Sequence, residues 1–283
     1  MRRLKILHRT YYNFSGLVQL QPHRLLLRPR EGPGLHIESL QLELTPTAQL
    51  RWVRDAYDNS VAMASFVAPT SHLAIISECI VQQFDETPLD FLVADFAVNY
   101  PFRYDADSAE ILAPYLHSPP QAEQPGLAQW VHRYWQPGEP VQSYGLLARL
   151  CVAISQSFTY QIREQPGVQS PLETLTRGIG SCRDFANLFM QAARSLGLAA
   201  RFVSGYLNAP SVDGSSGATH AWAEVYLPGA GWKGFDPTSG EIAGSRHIAV
   251  AVARLPDMVS PVTGAFVGPP GSDLSVGVWV SDL

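Results

Sequence analysis

Three segments in the second half of the chain carry residue types that together perform nucleophilic acyl chemistry. They are Arg177-Gly178-Ile179-Gly180-Ser181-Cys182-Arg183-Asp184-Phe185, Thr219-His220-Ala221-Trp222-Ala223-Glu224-Val225-Tyr226-Leu227 and Gly231-Trp232-Lys233-Gly234-Phe235-Asp236-Pro237. In the first, a glycine-bearing turn delivers Cys182 to a helix start, where unpaired N–H groups and the positive dipole end favour thiolate over thiol. A thiolate that opens an amide needs a partner to protonate the departing amine. His220, which opens a strand, is the best placed of the eight histidines. Asp236, closing the next strand, is the group to hold the imidazole tautomer and stabilise its charged form.

The spacing of the last two segments is a geometric test. With Pro228-Gly229-Ala230 as a three-residue hairpin loop, Leu227 faces Gly231, and Asp236 falls opposite Trp222 and diagonal to His220. Diagonal neighbours lie about 7–8 Å apart at Cα, within side-chain reach. A loop one residue shorter or longer puts Asp236 on the other face.

Other residues carry plainer expectations. Cys79 and Cys151 lie in apolar runs and read as inert core. Trp222 shares the His220 face, so it is equally a border of the substrate cleft or a core aromatic. Asp184 reads as an electrostatic cap on its helix, Glu224 as a solvent-facing charge, and His247 as a surface or structural histidine. Neither an EF-hand loop nor paired His/Cys ligands occur, so no metal and no cofactor are expected.

The elements that must hold these side chains follow from periodicity. Apolar residues Leu146, Leu147, Leu150, Cys151 and Ile154 predict a helix over 143–157, and Phe185, Phe189, Ala192 and Leu196 another from Ser181, stopped by Gly197. Strands are predicted at 200–207, 219–227 and 231–236, giving a helix followed by an antiparallel sheet, an α+β core. A helix near 126–134 lies in the crossing between domains. Upstream, alternation at 24–28, 36–44 and 60–66, with turn chemistry at 30–34 and 55–59, predicts an antiparallel β-sandwich. The domains are therefore expected at 1–100 and 101–283.

With 283 residues, 46% of them hydrophobic, the chain can bury a full core, and its net charge of −5 without long charge runs points to no phosphate-binding surface, so nucleic acid is not expected as a partner. The basic N-terminus lacks the apolar stretch of a signal peptide, and no apolar segment reaches the roughly 20 residues of a membrane span. Three scattered cysteines do not make a disulfide framework. A cytoplasmic location and no membrane partner are the expectation.

The order of these blocks resembles the transglutaminase-like superfamily. It resembles more closely still the bacterial members that carry their own N-terminal β domain, whose patterns are similar to His8-Arg9-Thr10-Tyr11-Tyr12, to 23–30 and to 246–254. The resemblance implies a papain-like core in which Cys182 is the nucleophile, His220 the acid and base, and Asp236 the orienting group. It also implies an oxyanion site built from the Cys182 N–H and a residue of the preceding segment, Tyr160 or Gln161. The expected activity is hydrolysis of an amide or peptide bond through a thioester, on a peptide or protein substrate. Amine transfer to the same acyl-enzyme, or a non-enzymatic binding role for the scaffold, is the alternative.

Overall fold

The structure, a computed structural model, describes residues 1–84, 89–117, 120–163, 165–208 and 219–283. Its first strand, β1 (Arg2–Leu20), is 19 residues long and alternates buried with accessible positions over its first half. The following strands are β2 (His23–Leu25), β3 (Leu35–Thr45), β4 (Gln49–Arg54), β5 (Ser60–Ser65) and β6 (Thr70–Gln83). β1 pairs antiparallel with β6, which pairs with β3, while β2, β5 and β4 form a second sheet. Leu20, Leu25, Leu27, Ala62, Ala64, Leu73 and Ile75 fill the space between the two sheets. This is the sandwich expected from the alternation.

A connecting stretch holds the short strand β7 (Asn99–Tyr100), α1 (Ala106–Leu112), α2 (Gln124–Val131) and β8 (Val141–Gln142). Then come α3 (Ser143–Ser157), β9 (Thr159–Tyr160), α4 (Pro171–Arg177), β10 (Ile179–Gly180) and α5 (Cys182–Ser195). α5 is the hub of this half. Phe185, Ala186, Leu188, Phe189, Met190, Ala192 and Ala193 are all at most 1% exposed, because other helices pack against the helix on the side away from the sheet. Its buried Arg194 donates to the carbonyls of Ala200 and Arg254, so the one charge sunk near its end is hydrogen-bonded.

The sheet beneath consists of β11 (Ala200–Leu207), β12 (His220–Leu227), β13 (Gly231–Asp236), β14 (Glu241–Ile242) and β15 (His247–Ala253), in the order β14-β13-β12-β11-β15. The three-residue hairpin holds: Leu227 faces Gly231 and Ala223 faces Phe235, with Gly229 and Gly231 at φ +83° and +76° in the turn. β15 was not foreseen as a sheet member. It crosses to the far edge and pairs with β11 across a bulge at Ser204/Gly205.

The expected boundary between 1–100 and 101–283 differs from the backbone pairing. β16 (Val262–Thr263) joins β2, β17 (Phe266–Val267) joins the end of β1, and β18 (Ser272–Asp282) runs along β1 from Phe14 to Leu4. The last twenty or so residues thus complete the sheets of the first unit. The physical reason is the length of β1 and β6. Their residues Leu4, Ile6, Cys79 and Val81 extend past the sandwich and pack in the same apolar cluster as Tyr206, Ile248 and Val250 of the second half. Among the described residues, no helix is long and apolar enough to cross a membrane.

Candidate functional site

Cys182 is the first residue of α5, so its N–H has no acceptor within the helix. Two local devices fix it there. Asp184, fully buried, accepts from the Ser181 N–H and hydroxyl on Oδ2 (2.8 and 2.7 Å) and from Gln169 N–H and Arg163 on Oδ1 (2.7 Å each). Burial opposes its ionisation, but these bonds hold its carboxyl below the usual range. Asp184 therefore closes the helix start, as a cap does, and does not point at the cleft. The second device is the approach of the chain: Gly178 at φ +69° ends α4, and Ile179 and Gly180 then pair in parallel with Thr159 and Tyr160. A Cβ on Gly180 would stand 2.9 Å from the Phe185 ring and 3.0 Å from the Asp184 Cβ.

The β9–β10 pairing brings Tyr160 beside the cysteine. Cys182, Tyr160 and His220 line one cavity of about 220 Å³, together with Arg163, Ser204 and Asp257. Tyr160 is 49% exposed, and burial of its ring, with the nearby Cys182, raises its phenol pKa, so the hydroxyl stays a donor. Gln161 faces a separate depression with Arg177 and Ile179. Arg183 donates to the carbonyls of Arg163 and Gln165, which tethers the segment facing the cysteine.

His220 Nε2 lies 2.8 Å from Asp236 Oδ2, which leaves Nδ1 for the sulfur of Cys182. Asp236 is fully buried, and its Oδ1 accepts from Thr238 N–H at 2.9 Å. Burial alone would lower the His220 pKa, but its hydrogen bonds to Asp236 and Cys182 outweigh that and push it up to about 10. Burial would likewise raise Asp236, and hydrogen bonds from His220 and His247 hold it far below the ordinary carboxylate range. The arrangement is a cysteine beside a charged imidazole whose far nitrogen donates to a buried carboxylate.

One cleft candidate needs correction, and one open pair of alternatives is decided. Trp222 does not border the cleft: it is 2% exposed and absent from the cavity lining. Its indole packs over the strand backbone, which Gly205 and Gly234 leave bare, since a Cβ at Gly205 would meet the ring at 2.6 Å. From there it backs His220 and His247, at ring separations of 6.2 and 5.1 Å. His247 is not a surface residue: it is 9% exposed, and its Nε2 lies 3.1 Å from Asp236 Oδ2. The signal for it was weak because nothing local in the sequence places β15 at the sheet edge.

His220, Asp236 and His247 are also three potential metal ligands whose donor atoms lie within 4.8 Å of one another. The Gly244 N–H points at His247 Nδ1 (3.3 Å), which puts the ring's proton on Nε2, between it and Asp236. The trio reads as hydrogen-bonded, since a metal there would have to displace both imidazole protons. Cys79 and Cys151 are buried, and burial pushes the first thiol up to about 12 and the second higher still.

Comparison with known proteins agrees with this architecture. Residues 136–237 match the family described as Transglutaminase-like superfamily, and residues 4–82 the Bacterial transglutaminase-like N-terminal region. An uncharacterized protein of Mycobacterium leprae is 26% identical over the whole of both chains. One of Mycobacterium tuberculosis is 29% identical over 93% of this chain and 87% of its own. The crystal structure of a candidate cysteine protease from Cytophaga hutchinsonii superposes with a TM-score of 0.73 at 19% identity, over 100% of this chain and 91% of that one. That likeness extends to the fold.

Proposed function

We propose that this chain, whose residues 136–237 match the transglutaminase-like superfamily and residues 4–82 the bacterial N-terminal region that goes with it, hydrolyses an amide bond of a peptide or protein with Cys182 as nucleophile. One observation carries the reading: His220 is hydrogen-bonded both to buried Asp236, through Nε2, and to Cys182, with which it lines one cavity.

The Cys182 thiolate attacks the amide carbon, and the developing oxyanion is received by the Cys182 N–H at the helix start and by the Tyr160 hydroxyl. Collapse of the tetrahedral species breaks the C–N bond as the His220 imidazolium gives its proton to the leaving amine, which leaves a thioester. Neutral His220 then takes a proton from water, whose oxygen attacks the thioester and expels the thiolate. Asp236 keeps Nε2–H of His220 engaged throughout, so that Nδ1, beside the sulfur, is the nitrogen that gives and takes the proton.

The test is to incubate wild type and Cys182→Ala with glutamine-containing peptides, with and without an added primary amine, and to weigh the products. Backbone cleavage or ammonia release by wild type alone supports hydrolysis. Amine adducts would replace it with acyl transfer, and equal turnover by both proteins removes Cys182 from the chemistry.

A further inference from the structure

Resting on the reading of Cys182 and His220 above, we propose that His247 is a positioning residue for that reaction. Through Nε2–H it shares the Asp236 carboxylate with His220, fixes the orientation of that carboxylate, and limits how tightly it holds the His220 proton.

Every acceptor position on Asp236 that the structure engages points to a different element. Oδ1 takes the Thr238 N–H at 2.9 Å, and Oδ2 takes His220 at 2.8 Å and His247 at 3.1 Å. Rotation of the carboxylate breaks all three bonds, so the group that aims His220 is itself aimed. His247 is just as constrained. Its ring accepts from Gly244 N–H, its backbone N–H donates to the Gly244 carbonyl at 2.8 Å, and the Trp222 indole stands edge-on to the ring. With Nδ1 accepting, the ring's proton is committed to Nε2 and thus to Asp236.

Sharing has an electronic consequence. Each N–H that donates to a carboxylate oxygen stabilises its charge and so reduces what that oxygen offers a second donor. His220 has to release its proton to an amine, and a carboxylate that it alone occupied would retain the imidazolium more strongly. The two rings, with centroids 6.1 Å apart, also cannot both be charged against one carboxylate without repulsion. The geometry assigns the charge to His220, the ring that faces Cys182. Of the charged groups near His247, Arg246 pairs with Glu241 of β14 and Arg201 with Glu224 at 2.6 Å beyond Trp222, while Arg30, Glu31 and Lys233 line the same depression, Glu31 paired with Arg28.

The experiment uses the full chain in a Cys182→Ala background, with the imidazole nitrogens followed by two-bond proton–nitrogen correlation across a pH titration. Wild-type His247 is expected as the Nε2–H tautomer. His247→Leu should raise the proton affinity of His220 about threefold or more, and His247→Gln, whose amide N–H can reach the same oxygen, should restore it. An Nδ1–H tautomer, or an unchanged His220 midpoint in a folded His247→Leu protein, overturns the proposal. If the Leu variant fails to fold, the tautomer and the Gln variant still decide. Iodoacetamide labelling of the parent chain separates the two layers. Equal, slow labelling of Cys182, Cys79 and Cys151 removes the underlying reading and the catalytic role of His247 with it, whereas fast Cys182 labelling beside a failed titration removes His247 alone.

Discussion

Of the three cysteines, only Cys182 is reachable from solvent, and it alone faces an imidazole. Iodoacetamide at neutral pH should therefore modify it at least about a hundredfold faster than Cys79 or Cys151, whose thiols burial keeps protonated; peptide mapping of the labelled protein checks this. The raised His220 pKa sets a second expectation. A histidine whose folded pKa exceeds its unfolded value stabilises the charged arrangement fully below about 6.5 and loses that contribution as pH climbs through about 10. The alkaline limb of hydrolysis should accordingly lie near the upper value. In Asp236→Asn the carboxylate's charge is gone and the lowering effect of burial prevails, so the limb should move towards neutrality and the rate should fall by roughly 10²–10⁴. A pH–rate profile that leaves the limb in place would contradict the role given to Asp236.

At the scale of elements, the start of α5 is set by contacts that tolerate little change. Gly180→Ala adds a methyl against Phe185 and Asp184 and is expected to cost about 1–3 kcal/mol while pushing Cys182 away from Tyr160, read as a lowered Tm with a lower kcat. A different device holds β15. The Asn59 side chain accepts from Val252 N–H at 2.9 Å and donates to its carbonyl at 2.8 Å, and Arg30 N–H donates to the Ala249 carbonyl. The sandwich thus supplies the pairing that an edge strand lacks. Asn59→Ala leaves two buried backbone groups unmatched and should cost about 2–4 kcal/mol in denaturant unfolding. These elements also mark where sequence reading works. The helix at 143–157, the start of α5 and the 228–230 loop are each specified by residues within a few positions of one another, which is why the diagonal placement of His220 and Asp236 is legible in the sequence. β15 and the role of His247 depend on a crossover between strands some forty residues apart, for which alternation in a single segment carries no address.

For the whole molecule, the same distinction explains the domain boundary: local pattern identified a sandwich, but not that β18 would return to β1 from the opposite end of the sequence. The two halves also share a buried polar cluster. His8 of β1, 1% exposed, contacts Tyr206 of β11 at 3.2 Å and Thr10 at 2.9 Å, and burial lowers its pKa to about 4. Here the linkage has the opposite sign to His220. The unfolded chain protonates first, so stability should decline as pH falls from about 6.5 to about 4, by at most about 3 kcal/mol, and level off below. Urea titrations at stepped pH should trace this decline, and His8→Gln should flatten it; an unchanged slope would place the acid sensitivity elsewhere.

The pairing of β18 along β1, Leu4 opposite Asp282 and Phe14 opposite Ser272, carries a consequence for biosynthesis. A ribosome releases β1 first and β18 some 250 residues later, so one long flank of the earliest strand must wait, unsatisfied, for nearly the whole of translation. Until then it is an adhesive margin open to neighbouring nascent chains, and the finished sheet can close only after the final strand emerges.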